Sequence, residues 1–99
     1  MNVVVGEVSE TLVQVALSGE VDADNCAEMG AGLLQRGAST AELAIDVSAL
    51  AFIDSSGISE LLRVREAMVE AGGSLVLHQP TDNVRRVLEI TGLTGTFGL

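Results

Sequence analysis

Ala51-Phe52-Ile53-Asp54-Ser55-Ser56-Gly57-Ile58 passes from residues suited to a buried strand, through an aspartate and two adjacent hydroxyls, into a segment with helical periodicity. Beyond it, Ile58, Leu61, Leu62, Met68 and Val69 fall on one side of a helix, while Ser59, Glu60, Arg63, Glu66 and Glu70 fall on the other. A serine at the start of such a helix lies beside main-chain N–H groups that have no partner within the helix and carry the positive end of its dipole. The residues alone allow two readings. Ser55 or Ser56 is a helix cap, worth about 1 kcal/mol, with Asp54 as the alternative cap; or the position is one that holds a phosphate. Gly57 removes a side chain that would otherwise screen the hydroxyls from a docking protein.

Upstream, Val3, Val5 and Glu7 alternate with Asn2, Val4 and Gly6, and Leu12, Val13, Val15 and Leu17 form a second apolar run with two β-branched valines after a Ser9-Glu10 turn, so two strands joined as a hairpin are expected. Gly19 breaks the pattern. Asp22, Asp24 and Asn25 then offer caps ahead of Cys26, Met29, Leu33 and Leu34, which recur at helical spacing and predict a first helix over residues 24–36. Asn25 with Glu28 resembles a capping box. After a turn over Gly37 to Thr40, Leu43-Ala44-Ile45-Asp46-Val47 has the near-continuous apolar character of a central strand covered on both faces.

Gly72-Gly73 ends the second helix, since glycine reaches the left-handed conformation of a C-cap without a Cβ penalty. Ser74 to Leu77 reads as another buried strand. Pro80 and Thr81-Asp82 open a third helix with Val84, Val87 and Leu88 facing the core; Gly92 closes it, and Leu93 to Leu99 are expected to form a short edge strand. The order β-β-α-β-α-β-α-β and the right-handedness of parallel crossovers predict an α/β fold: a mixed sheet of four to five strands with three helices largely on one face.

Ninety-nine residues suit a single domain spanning 1–99. Apolar residues make up 47%, but only Phe52 and Phe97 are aromatic, so aliphatic side chains must fill the core. A net charge of −9, with five Arg and no Lys, repels phosphate backbones and anionic lipid, which argues against nucleic acid and direct membrane binding. The acidic balance suits a protein partner with a basic patch and equally suits solubility alone. One cysteine permits neither an intrachain disulfide nor a thiolate metal cluster within the chain, the start lacks the pattern of a signal peptide, and no stretch approaches the roughly 18 apolar residues a spanning helix needs. A cytoplasmic location is expected.

Asp54-Ser55-Ser56-Gly57-Ile58 resembles the D-S-[SA]-G-[LIV] signature of STAS domains, the family named for sulfate transporters and anti-sigma factor antagonists. Leu17-Ser18-Gly19-Glu20-Val21-Asp22 is similar to the family's L-x-G-[DE]-[LIV]-D at the end of the second strand. Gly72-Gly73-Ser74-Leu75 and Val84 to Leu93 resemble its final strand and helix, so the likeness spans nearly the whole chain in order. The resemblance implies a stand-alone anti-sigma factor antagonist in which Ser55 accepts phosphate from a partner that is both anti-sigma factor and serine kinase. Unphosphorylated, it binds that partner and frees a sigma factor; phosphorylated, it is released, with a phosphatase as a further candidate partner. Partner binding then falls to Asp22, Asp24, Asp54, Ser56 and Gly57, the aspartates lying near Ser55 if the two motifs converge. Asp22 or Asp24 as a mere cap of the first helix is the competing reading, and Ser56 reads as a cap or backbone partner rather than the phosphate acceptor.

Other classes fare worse. A serine hydrolase lacks the G-x-S-x-G elbow, and His78, the sole histidine, reads as a half-buried structural residue rather than a base. Neither phosphate-loop nor dinucleotide glycine motif occurs, the carboxylates are scattered, and Cys26 reads as a small packing residue, so no enzyme activity, cofactor or metal is expected. Within the family, a non-phosphorylated scaffold subunit of a stressosome or of a lipid-transport complex is the alternative.

Overall fold

A computed structural model describes residues 1–37 and 42–99. The chain forms β1 (Asn2–Val8), β2 (Leu12–Val21), α1 (Cys26–Gly37), β3 (Glu42–Asp46), β4 (Leu50–Ile53), α2 (Ser55–Glu70), β5 (Ser74–His78) and α3 (Asp82–Thr91), followed by a 3-10 turn over Gly95–Phe97. The five strands make one mixed sheet in the order β1-β2-β3-β5, with β4 pairing β2 beyond the reach of β3. Among the described strands, the β1–β2 hairpin is antiparallel and the other pairs are parallel. At its turn, Ser9 Oγ accepts the Leu12 N–H at 3.1 Å and the Ser9 N–H donates to the Leu12 carbonyl at 2.8 Å.

Strict alternation sets the faces of β2. Val13, Val15 and Leu17 are buried, whereas Gln14 and Ala16 are exposed. The inward residues of β2, β3 and β5 share one apolar cluster with Met29 and Leu33 of α1, Ile58, Leu61, Val64 and Met68 of α2, and Val84 and Leu88 of α3. The three helices therefore cover that face, as expected, and β3 lies between β2 and β5 as the central strand. On α2 the buried stripe runs through Leu61, Val64 and Met68, leaving Val69 48% exposed and Leu62 only partly buried, so the stripe expected from the sequence is rotated by part of a turn.

The two C-terminal glycine stops form as read. Gly72 (φ +86) and Gly92 (φ +74) are left-handed, and the N–H groups of Gly73 and Leu93 reach back to the Met68 and Leu88 carbonyls at 2.7 and 2.9 Å.

Four local expectations are corrected. One strand was expected between the first two helices, but Asp46 Oδ1 accepts the Ser48 N–H at 2.8 Å and the Leu50 N–H bonds the Val47 carbonyl, a turn that separates β3 from β4. Leu93 to Leu99 is not a strand: Gly98 (φ +79) is left-handed, Thr94 is helical, and Phe97 is fully buried against the common core. The Asn25–Glu28 capping box does not form, because the Asn25 side chain turns back to accept from the Asp22 N–H at 2.9 Å and to donate to the Glu20 carbonyl at 2.9 Å. α1 consequently begins at Cys26, two residues later than expected; beyond Gly37, the expected turn through Thr40 lies outside the described residues.

Candidate functional site

The two motifs meet because β2 changes partner. Its first half pairs with β3, and at Gly19 (φ +92) the strand bends, the Gly19 N–H donating to the Ala49 carbonyl at 3.1 Å, so that Glu20 and Val21 align with Phe52 and Ile53 of β4. The Asp54 N–H continues the ladder to the Val21 carbonyl at 3.2 Å. The ends of β2 and β4 are thus side by side, and Asp22 and Asp54 leave the sheet together.

Asp54 takes the cap of α2. Its backbone is extended (φ −101, ψ −176), its Oδ1 accepts the Gly57 N–H at 3.1 Å, and its carbonyl accepts the Ile58 N–H at 3.1 Å. Ser55 and Ser56 are therefore the first two residues of the helix rather than caps, which corrects the reading of Ser56 as a cap or backbone partner. Neither hydroxyl makes a hydrogen bond among the described residues; Ser55 is exposed and Ser56 half-buried. The Ser55 oxygen stands at the positive end of a 16-residue helix.

Gly57 is placed differently from expectation. It is buried, and a Cβ there would come within 2.5 Å of Ile53 Cγ1 and 2.8 Å of Val21 Cγ1. Its missing side chain lets the start of α2 sit on the last residues of β2 and β4; it does not open the hydroxyls to a visitor.

Asp22 is half-buried, and its Oδ1 accepts the N–H groups of Asp24 and Asn25 at 3.0 and 3.3 Å, locking the turn into α1. Asp24 is exposed and its carboxylate is free of hydrogen bonds among the described residues. Asp22 therefore braces the turn ahead of α1 rather than capping the helix itself, and Asp24 is a surface charge. No group of three His, Cys, Asp or Glu side chains among the described residues is arranged to hold a metal.

Two positioning residues had no role in the sequence reading of this site. β4 has β2 on one edge only; on the other, Thr81 Oγ1 donates to the Leu50 carbonyl at 2.9 Å, and Asn83 Oδ1 accepts the Ile53 N–H at 3.3 Å. Thr81 was legible as a helix opener, and it does cap α3 by accepting from Val84. Asn83 carries no local signal, since its partner is 30 residues away.

His78 is exposed at the end of β5, not half-buried. It borders a concavity of about 300 Å³ on the open face of the sheet, with Gly6, Gln14, Ala16, Ala44, Asp46 and Gln79, and no residue of the 54–57 turn takes part in it. The Ser48 N–H, then the Ser48 hydroxyl and lastly the charge of His78 hold the Asp46 carboxyl below its ordinary value. Cys26 is partly buried and packs against the core, with its Sγ 3.8 Å from the Ala23 carbonyl oxygen.

A strand-to-helix junction with a capping aspartate and two unused hydroxyls, on a mixed sheet backed by three helices, defines an α/β domain built around a surface serine. Residues 7–99 match the family model described as Mlab, STAS domain. The chain belongs to the STAS domain family. It is 28% identical over 85 residues to the anti-sigma-B factor antagonist of Bacillus subtilis (strain 168), covering 86% of this chain and 78% of that protein. Among solved structures, an anti-sigma factor antagonist from Mycobacterium paratuberculosis superposes with a TM-score of 0.82 at 28% identity, covering 99% of this chain and 83% of that one. The anti-sigma factor antagonist SpoIIAA in its unphosphorylated form gives a TM-score of 0.82 at 23% identity, over 95% and 84% of the two chains.

Proposed function

We propose that this chain is an anti-sigma factor antagonist that works by partner switching. Unphosphorylated, it binds an anti-sigma factor that is also a serine kinase; phosphorylation of Ser55 releases it, and a phosphatase restores the binding form. The observation that carries this reading is that Asp54 does the capping, which leaves the Ser55 hydroxyl exposed and without a hydrogen bond among the described residues. The two relatives at 28% identity are anti-sigma factor antagonists, which supports the same role here.

The chemistry of release is local. A phosphoryl group adds a charge of about −1.5 to −2 and three acceptor oxygens at Ser55, beside Asp54. The free N–H groups at the start of α2 can accommodate it without refolding the domain. Within a packed contact, however, the added volume and the cost of desolvating a dianion oppose association, and a penalty of about 3 kcal/mol already weakens binding more than 100-fold. The chain supplies only the acceptor hydroxyl, and the kinase chemistry belongs to the partner. A cytoplasmic site of action fits this role, and no helix among the described residues is long and apolar enough to cross a membrane.

The test is phosphate transfer from ATP by a cognate kinase, read by mass spectrometry. Ser55→Ala is expected to keep the fold and partner binding and to abolish incorporation, whereas Ser56→Ala is expected to be phosphorylated normally. Incorporation that persists in Ser55→Ala refutes the assignment. Recovery of the chain in a large particle or with a membrane ATPase, without phosphate at Ser55, would establish the scaffold role instead.

A further inference from the structure

We propose that Phe52 is the apolar anchor by which this chain docks on its protein partner, and that the partner presents an apolar pocket bordered by basic side chains. This rests on the switch reading and adds to it the chemistry of the contact.

Of the two aromatic residues, Phe97 is fully buried, whereas Phe52 is 41% exposed in a strand three residues ahead of Ser55. Backbone pairing cannot be what covers it. β2 occupies one edge of β4, and Thr81 and Asn83 take the Leu50 carbonyl and the Ile53 N–H on the other. A partner reaching this place must therefore recognise side chains rather than add a strand.

The surroundings specify the rim. Val21 and Ile53 are aligned and buried, so Glu20 and Phe52, one residue earlier on each strand, share the opposite face. The extended backbone of Asp54 continues that alternation and places it on the side of Phe52; Asp22 follows Val21 in the same way. Asp24 stands exposed just beyond. Among the described residues none of these four carboxylates has a basic partner: the ion pair present joins Arg63 to Glu60 on α2, and Arg85 and Arg86 lie between Asp82 and Glu89 on the surface of α3. Carboxylates on and just beyond the two strand ends that carry one exposed aromatic side chain are complementary to an apolar pocket with a positive border, the arrangement in which a central aromatic carries most of the binding energy. Of these carboxylates, Glu20 and Asp24 are exposed and remain solvated at the periphery. A phosphate on Ser55 would instead have to be desolvated beside the apolar centre, so a basic border and release on phosphorylation are compatible.

The experiment titrates the unphosphorylated chain into each purified anti-sigma factor kinase of its own genome by calorimetry. The expected result is that Phe52→Ala weakens binding by about 30-fold or more with an unchanged melting temperature. Phe52→Leu should recover most of the loss, and Asp24→Asn should cost only a few-fold while flattening the salt dependence. Should the alanine variant melt early, Phe52→Gln, which keeps the reach of the side chain without its apolar face, is the deciding variant. Wild-type affinity in the Ala or Gln variant, together with loss of binding in Ser55→Asp, overturns the anchor and leaves the switch reading standing. If the wild type binds none of the kinases, the switch reading falls and the anchor with it.

Discussion

The starts of α1 and α2 sit at the ends of two paired strands, yet they use their polar side chains in opposite ways. Ahead of α1, Asp22 accepts two backbone N–H groups while Asn25 accepts one and donates to the Glu20 carbonyl, so these two side chains are bound within the turn and Asp24 faces solvent. Ahead of α2, a single bond from the Gly57 N–H to Asp54 completes the cap, and two hydroxyls are left over. The first turn is closed on itself and serves the fold. The second holds polar groups the fold does not need, and such surplus is where function can reside.

The comparison is broken most severely from inside. Gly57→Val would drive a branched side chain into Ile53 and Val21, the residues that bring the two turns together. Overpacking of this kind costs about 3 kcal/mol, so the expected outcome is a markedly lowered denaturation midpoint, and binding that is lost because the junction is displaced. An unchanged midpoint in chemical denaturation would show that the start of α2 is not seated on the two strand ends.

It is sharpened by a pair of alanine substitutions. Asn25→Ala removes two hydrogen bonds and is expected to destabilise by about 2 kcal/mol, since a neutral bond contributes about 1. Ser56→Ala removes none among the described residues and is expected to stay within about 0.5 kcal/mol of the wild type. Equal losses in the two variants, measured by urea denaturation, would erase the distinction between a closed and an open turn.

The residues made much of the fold readable, and the limits have physical causes. Alternation in β2, the glycine stops at Gly72 and Gly92 and the sided pattern of α2 are local signals, and the elements they mark are present. The break between β3 and β4 was hidden because an Asx turn, with neither Gly nor Pro, separates them. The 3-10 turn at the C-terminus was hidden because Phe97 and Leu93 look equally suited to a strand, and only the left-handed Gly98 and the burial of Phe97 exclude one. At the site, Ser55 and Asp54 were legible as a junction, but which residue caps is settled by backbone geometry that both readings allowed. The inward role of Gly57 and the bond from Ile53 to Asn83 depend on contacts between separate elements, for which no spacing rule exists.

A third strand end extends the comparison. β2, β3 and β4 run parallel and are each succeeded, or closed, by an aspartate whose Oδ1 accepts an N–H two or three residues on: Asp22, Asp46 and Asp54. The device is therefore a general way of ending these strands, and the surplus at α2 comes from the two serines placed directly after its aspartate. Asp46 shows the device at its simplest, with the Ser48 N–H at 2.8 Å as the main cause of its lowered pKa. A carboxyl whose pKa is lower in the folded than in the unfolded state stabilises the fold above the unfolded value, near 3.8, and loses that contribution as pH falls through the folded value. Asp46 is exposed, so the contribution is small. The expected outcome is that Asp46→Asn has a slightly smaller gap in stability between pH 5 and pH 3 than the wild type, the difference arising below about pH 3.8. If the substitution leaves that gap unchanged in thermal denaturation, the carboxylate is not stabilising the turn through its charge, and the shared device is one of shape alone.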